Sequence, residues 1–347
     1  MTIITAVIRS YDHTTHTATV QPSGSPTSLP NVPVAHNLGW WQMQIGHSCA
    51  VVLFDETDLT NACVAFVWGT KPVTLPKFTV EFYTVCGIGD TFDPSITLAT
   101  GCPFTPVWDF DDDTQATGTS VTKADYANAG PHLVTLYLPD AQHWLTGIDV
   151  SNDKISGDFL TTLSKYAALT SILAWNNAAL TGNLSSLSQL TSLTQLYISY
   201  TATTGNLSSL SGLTALTILH LGTTAVAGSI NSLSGLTALT HLFLDNTGVT
   251  DGVIGTLVAL HDCWINDCAW SQASVDALLS DLYTNRAAFT YYAPNLNIGG
   301  SNAAPSGTYQ DATPPTTGKE YIYKLANDPD TEGFHKWTVT YTGGTAP

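Results

Sequence analysis

The chain contains 347 residues, of which 44% are hydrophobic and only 11% are charged. This length is typical of two or three domains, and the apolar content is sufficient for packed cores. Aspartate and glutamate outnumber lysine and arginine by 27 to 10, which gives a net charge of −17. The acidic balance argues against nucleic acid and anionic membranes as partners, because both are bound through clustered lysine and arginine.

Targeting signals and cysteines indicate assembly in a cytosol. The N-terminal sequence MTIITAVIRSYD has no basic segment followed by an apolar run, and no stretch of the chain is long and apolar enough to span a bilayer. We therefore expect neither a signal peptide nor membrane insertion. The six cysteines lack the spacing of a small disulfide-bonded domain or of a zinc site, so we expect buried free thiols.

Residues 1–72 alternate short apolar runs with turn residues. The runs IITAVIRS, TATVQP, VPVAH, CAVVLFDE and ACVAFVWG predict five or six strands and a small β-barrel. Four motifs resemble the OB-fold domains at the base of tailed-phage spike and baseplate proteins: TATVQP (17–22), LPNVP (29–33), IGHSCAVVLF (45–54) and FVWG (66–69). Gly46-His47 stands where the spike pattern has Gly-Asp. The resemblance implies docking on other tail or baseplate proteins and a homo-oligomer, with a homotrimer as the expected form.

Residues 73–140 predict a small β-sandwich. FTVEFYTV (78–85), ITLA (96–99) and HLVTLYL (132–138) alternate apolar and polar residues, as half-buried strands do. WDFDDD (108–113) and YANAGPHLVTL (126–136) resemble the hallmarks of a PKD-type immunoglobulin-like domain, which implies a rigid spacer.

The acidic turn of this segment contains weak candidates for calcium ligands. Calcium prefers several carboxylates within one loop, and four aspartates lie close together here: Asp109, Asp111, Asp112 and Asp113. A solvated acidic turn is the favoured interpretation, so we expect no metal and no cofactor.

Residues 141–302 contain an internal repeat. The segments NLSSLSQLTSLTQLYIS (183–199), NLSSLSGLTALTILHLG (206–222) and SINSLSGLTALTHLFLD (229–245) place equivalent leucines 23 residues apart. A period of 20–29 residues with a Leu-x-x-Leu-x-Leu core is typical of leucine-rich repeats. We therefore predict a solenoid with strands near 145–150, 169–174, 193–198, 216–221, 239–244 and 260–265.

Two departures from the repeat predict local structure. The asparagine that usually follows the strand occurs as Asn177, whereas threonine occupies the equivalent place in the next coils as Thr201, Thr224 and Thr247. A ladder of hydroxyl groups is expected to bond the turning backbone in place of asparagine. In SQASVDALLSDLYTNR (271–286), Ser271 can cap a helix whose apolar residues have helical spacing.

Residues 303–347 are predicted to be a Pro/Gly/Thr-rich linker and a terminal hairpin. EYIYKL (320–325) and KWTVTYTG (336–343) alternate apolar and polar residues, which is typical of strands. The order of repeats, linker and hairpin is similar to that of leucine-rich-repeat tail proteins encoded by phages and prophages. The predicted fold is thus mainly β, with an OB-like barrel, a PKD-type sandwich, a leucine-rich-repeat solenoid and a C-terminal hairpin.

The repeats predict a row of outward side chains on the strand face. Side chains alternate along a strand, so the position between two core leucines points out of the sheet. Successive coils place these residues there: Asp149, Leu173, Tyr197, His220, Phe243 and Trp264. Trp175 and Asp245 border the row. Aromatic residues in register favour a host-surface glycan or protein as a partner, with weak dependence of binding on salt. Coverage by the chain's own cap or by a second copy is the alternative.

No catalytic motif is recognised. His220, His241 and His261 lie in successive coils, but their staggered spacing puts neighbouring Cα atoms roughly 8 Å apart, which is loose for a metal site. We expect surface histidines and no enzymatic activity. The favoured hypothesis is a structural protein of a phage virion. The alternatives are a self-assembling extracellular filament or surface-layer subunit, and a carbohydrate hydrolase or lyase with an unrecognised site.

Overall fold

The protein divides into two compact units, residues 1–77 and 78–347. The computed structural model describes residues 2–12, 17–23, 29–34, 48–53, 62–68, 79–87, 89–110, 114–124, 126, 130–138, 140–291, 293–327 and 336–346. Within these residues, no helix has both the length and the apolar character needed to cross a membrane.

The first unit contains a five-stranded antiparallel sheet. Its strands are β1 (Thr2–Asp12), β2 (Thr17–Pro22), β3 (Leu29–Pro33), β4 (Ser48–Leu53) and β5 (Ala62–Trp68). They lie in the order β3-β2-β1-β4-β5. Val34, directly after β3, forms a parallel bridge with Val64 of β5, so the two ends of the sheet meet. The predicted Gly46-His47 motif lies outside the described residues.

The second unit begins with short strands around an aromatic core. The strands are β6 (Thr79–Thr84), β7 (Thr91–Phe92), β8 (Ser95–Leu98), β9 (Val107–Asp109), β10 (Gln115–Thr117), β11 (Lys123–Ala124) and β12 (His132–Tyr137). Phe82, Phe92 and Phe110 are buried and meet in tilted or edge-to-face contacts, with ring centroids 6.0–6.3 Å apart. Trp108 is fully buried and donates its indole N–H to the carbonyl of Gly118 at 3.0 Å.

Only part of the predicted calcium turn is described. Asp109 is half-buried in β9, and its carboxylate accepts a hydrogen bond from the amide of Gln115 at 3.0 Å. The other candidates, Asp111, Asp112 and Asp113, lie outside the described residues.

The solenoid continues the sheets of this aromatic region. Its first sheet contains β13 (Leu145–Asp149), β15 (Ser171–Leu173), β17 (Gln195–Tyr197), β19 (Ile218–His220), β21 (His241–Phe243), β23 (Asp262–Trp264) and β24 (Asn295–Ile298). β8 pairs antiparallel with β13, and β6 pairs with β14 (Ile155–Asp158) of the first coil. The predicted boundary between residues 140 and 141 therefore falls within continuous sheets. A short helix, α1 (Ala141–Trp144), links the two regions.

Stacked leucines form the solenoid core. Leu196, Leu219 and Leu242 are partners in the parallel register of successive strands, and each is fully buried. The return segments contain helix α2 (Phe159–Leu163), 3₁₀ turns and the strands β16 (Leu180–Thr181), β18 (Thr204–Asn206), β20 (Ala225–Ser229) and β22 (Gly248–Asp251). Each of the predicted repeat strands contains an observed strand, so the predicted solenoid is confirmed.

The predicted hydroxyl ladder is also confirmed. Asn177 donates its side-chain amide to the carbonyls of Val150 and Ala174 at 2.9 and 3.0 Å. In the next coils the threonine hydroxyl groups donate to the carbonyl three residues earlier, at 2.6–2.7 Å, in Thr201, Thr224 and Thr247. Each hydroxyl thus satisfies a buried carbonyl at the end of its strand, as the asparagine does.

The C-terminal end of the solenoid is closed by two helices and a hairpin. Helix α3 (Gln272–Asn285) starts at Ser271, whose hydroxyl accepts the N–H of Ser274 at 3.1 Å, as predicted. The predicted strand 320–325 is wrong, because these residues lie in helix α4 (Gly318–Asn327). Ile322, Leu325 and Ala326 are buried at helical spacing, and that burial outweighs the local alternation of EYIYKL. The hairpin is formed by β25 (Thr338–Tyr341) and β26 (Gly344–Ala346), and β25 pairs parallel with β24.

Candidate contact surface

The predicted outward row lies in register across the first sheet. Tyr197, His220, Phe243 and Trp264 are successive Cα partners in β17, β19, β21 and β23. Each alternates with a fully buried core residue, which fixes its direction away from the core. Trp264 keeps 44% of its surface exposed, so the C-terminal cap does not cover it within the described residues.

The rings of this row contact each other in sequence. The ring centroids of Tyr197 and His220 are 5.8 Å apart, those of His220 and Phe243 are 4.9 Å apart, and those of Phe243 and Trp264 are 5.0 Å apart. All three contacts are edge-to-face, with interplanar angles of 61–73°. Such pairs contribute about 0.5–1.5 kcal/mol each beyond simple burial. The contacts therefore hold the rings in fixed orientations before any partner arrives.

Sequence reasoning missed three further rings on this face. The ring of His241 lies 6.1 Å from that of Phe243 and 5.4 Å from that of His261. His261 stacks on Tyr291 at 3.8 Å. His241 is two residues before Phe243 on the same face, and this spacing could have identified it. Tyr291 comes from the connection between α3 and β24, where no repeat pattern indicates its position.

Seven rings together form what we call the aromatic face: Tyr197, His220, His241, Phe243, His261, Trp264 and Tyr291. The predicted border residue Trp175 is 38% exposed and lies beyond its strand, two coils before His220. Leu173 and Asp149 continue the row toward the first coil, and both are half-buried.

Carboxylates are the charged groups on this face. Residues 166–285 contain six aspartates and no lysine or arginine. Asp262 accepts a hydrogen bond from Asn295 at 2.9 Å and lies 3.4 Å from the Nε2 atom of His241. Burial lowers the pKa of His220 below its ordinary value, and the nearby Asp245 carboxylate only partly opposes this effect. His220 is therefore neutral at pH 7 and acts as an aromatic ring.

The arrangement is suited to contact. Within the described part of the chain, no three histidine, cysteine or acidic side chains are grouped as metal ligands. Cys263 lies in the core behind the aromatic face, and burial raises the pKa of its thiol to about 12. A thiol with that pKa is protonated at pH 7 and is a poor nucleophile. What the face offers is a rigid row of rings that can stack on a partner.

No protein-family model and no curated protein sequence matches the chain. Among solved structures, the ectodomain of the Arabidopsis thaliana receptor kinase GASSHO1/SCHENGEN3 is 20% identical, with a TM-score of 0.33, and the match covers 42% of this chain and 20% of the receptor chain. The Arabidopsis receptor kinase HAESA is 20% identical, with a TM-score of 0.36, and the match covers 46% of this chain and 30% of the receptor chain.

A bacterial structure is similar over a larger share of its length. Internalin C2 from Listeria monocytogenes is 17% identical, with a TM-score of 0.33, and the match covers 57% of this chain and 81% of the internalin chain. The chain spans about a fifth to a third of the length of the receptor ectodomains above. The leucine-rich-repeat assignment of the second unit rests on the repeat period and the parallel sheet described above.

Proposed function

We propose that this protein is a non-enzymatic attachment protein whose aromatic face binds a partner on a host surface. The continuous, partly exposed row of rings on a rigid sheet is the observation that carries the proposal. An exposed aromatic row is costly to leave in water, and burying it supplies most of the free energy of a contact. Because the rings are already ordered by mutual contacts, binding loses less side-chain entropy than it would on flexible residues.

The first unit supports a docking role. The strand order β3-β2-β1-β4-β5, together with the parallel bridge between Val34 and Val64, is consistent with a closed OB-type barrel. The motifs in residues 17–69 resemble the OB-fold domains of phage spikes and baseplates. We therefore extend the proposal to a spike or adhesin of a phage tail or baseplate, docked on other tail proteins through this unit and located in the virion. The aromatic region after residue 78 serves as a PKD-like spacer.

Replacement of two rings tests the attachment role. The variant carrying both Phe243→Ala and Trp264→Ala should lose at least tenfold in binding to host cells or to the glycan or protein recognised by the parent, because two stacking surfaces disappear. Binding is measured with the labelled full chain on bacterial cells and on glycan arrays. Both side chains point away from the leucine core, so thermal unfolding should change by only a few degrees.

The matched control removes two exposed aromatic residues from elsewhere in the second unit. Tyr83 is 47% exposed and Phe104 is 39% exposed, and neither lies on the aromatic face. The double variant with alanine at both positions should bind like the parent. Equal binding by the parent and the Phe243/Trp264 variant would place the contact elsewhere and overturn the proposal.

A further inference from the structure

Asp245 differs from the other carboxylates around the aromatic face. Asp262 is held by Asn295, and Asp149 accepts the backbone N–H of Ser151 at 3.0 Å. In the described part of the chain, the half-buried Asp245 carboxylate has no hydrogen-bond or ion-pair partner. A carboxylate partly removed from water and left without a partner retains the capacity to bind a cation.

Gly222 provides the space that this carboxylate occupies. The position of Asp245 corresponds to Gly222 in the preceding coil, since His220 and Phe243 are strand partners. A β-carbon placed on Gly222 would lie 2.4 Å from Oδ1 of Asp245, which is too close for any side chain. The backbone of Gly222 has no left-handed φ angle, so the need for glycine comes from the carboxylate and not from the turn.

Aromatic rings lie beside this carboxylate. Asp245 follows Phe243 by two residues, so both side chains leave the same face of the chain. Trp264 is in edge-to-face contact with Phe243 at 5.0 Å and is the most exposed ring of the row. On the other side of these rings, Asp262 precedes Trp264 by two residues. The two rings are therefore flanked by a carboxylate on each side, with no lysine or arginine between residues 166 and 285.

We propose that Asp245, Phe243 and Trp264, arranged over Gly222, bind the cationic head group of an arginine or lysine side chain in an extended segment of a partner protein. The proposal rests on the contact role of the aromatic face and specifies its occupant. A cationic head group can pair with the carboxylate while it lies against an aromatic ring, and each of these interactions favours a cation. A neutral sugar can stack on the same rings, but it leaves the negative charge of the face uncompensated.

Synthetic peptides test the occupant directly. The probes are an extended peptide of alternating arginine and threonine, eight residues long with blocked ends, and the same peptide with citrulline in place of arginine. Citrulline keeps the shape and loses the charge. The full-length protein should bind the arginine peptide about tenfold more tightly than the citrulline peptide in calorimetry at low salt, and the difference should shrink as salt is raised.

Two substitutions assign this preference to the proposed site. Asp245→Asn should remove most of the difference between the two peptides, because it deletes the charge while keeping the shape. Gly222→Ala should have the same effect by displacing the carboxylate. The matched controls are Asp251→Asn, an exposed aspartate of β22, and Gly212→Ala, which has open space around its Cα; both should bind like the parent.

The outcomes separate this proposal from the attachment role. Equal affinities for both peptides, no measurable binding of the arginine peptide at millimolar concentration, or an unchanged preference in Asp245→Asn would each overturn the cationic occupant. If the natural partner, or a neutral glycan on the array, is lost in the Phe243/Trp264 variant and retained in Asp245→Asn, the contact face stands and its occupant is neutral. If neither variant affects binding, both proposals fail.

Discussion

Asp153 occupies the same place in the first coil as Asn177 does in the second, 24 residues later. It is 1% exposed, and its Oδ1 atom accepts the backbone N–H of Asp93 at 2.8 Å. Its carbonyl also accepts the hydroxyl of Thr84 at 2.6 Å, which ties the first coil to β6. Burial raises the pKa of Asp153 to about 8, so this side chain is largely protonated at pH 7 and resembles an asparagine.

This residue makes stability depend on pH. The unfolded chain releases the proton near pH 4, whereas the folded chain retains it up to about pH 8, so the free energy of unfolding falls as pH rises between these values. Asp153→Asn should abolish this part of the pH dependence and raise the unfolding temperature at pH 8 by about 5 °C. Thermal melts at pH 5 and pH 8 measure it, with Asp251→Asn as the exposed control. An unchanged pH slope in Asp153→Asn would contradict the prediction.

At the scale of the elements, patterns with a long period were predictable and patterns without one were not. The repeat strands and helix α3 follow from leucines and a serine cap that recur at fixed spacing. Helix α4 was predicted as a strand, because EYIYKL alternates over six residues and its burial against the end of the solenoid is decided by tertiary contacts. The same limit applies to the contact surface. Its main row follows from the repeat, whereas Tyr291 reaches the face from an irregular connection.

The stacked leucines should be sensitive to charge. Leu219 is fully buried between Leu196 and Leu242, and Leu219→Asp would place a carboxylate there without a partner. We expect a loss of several kcal/mol in the free energy of unfolding and disruption of the adjacent coils, measured by urea denaturation and hydrogen exchange. The neighbouring Ile218 points to the outer face and is half-buried, so Ile218→Asp is the matched control and should cost much less. Similar losses in the two variants would argue against the stacked core.

At the scale of the whole molecule, the ends of the ten-stranded sheet bear on the assembly hypotheses. The sheet is parallel from β13 to β25, but its end strands, β8 and β26, are antiparallel to their neighbours. A second copy stacked on either end would meet a strand of three or four residues running the wrong way. Short end strands of this kind oppose edge-to-edge association. The sheet ends thus favour a discrete particle over the alternative of a filament built by continuing the solenoid.

The oligomeric state should depend on the first unit. We expect the full chain to be a homotrimer at micromolar concentration and the fragment 78–347, which is a compact unit, to be a monomer. Native mass spectrometry and light scattering measure both. A monomeric full chain would count against docking through the barrel, and a trimeric 78–347 fragment would move the subunit contact to the second unit.

The 23-residue spacing of equivalent positions 183, 206 and 229 makes the reach of this protein an adjustable quantity. Each central coil bonds to the coil before and the coil after it, so gain or loss of one whole coil joins matching backbone positions and leaves both closed ends intact. Each such event lengthens or shortens the row of rings by about 4.8 Å and adds or removes one outward side chain. Duplication of coils can therefore change which partner is recognised without redesigning the unit that anchors the protein.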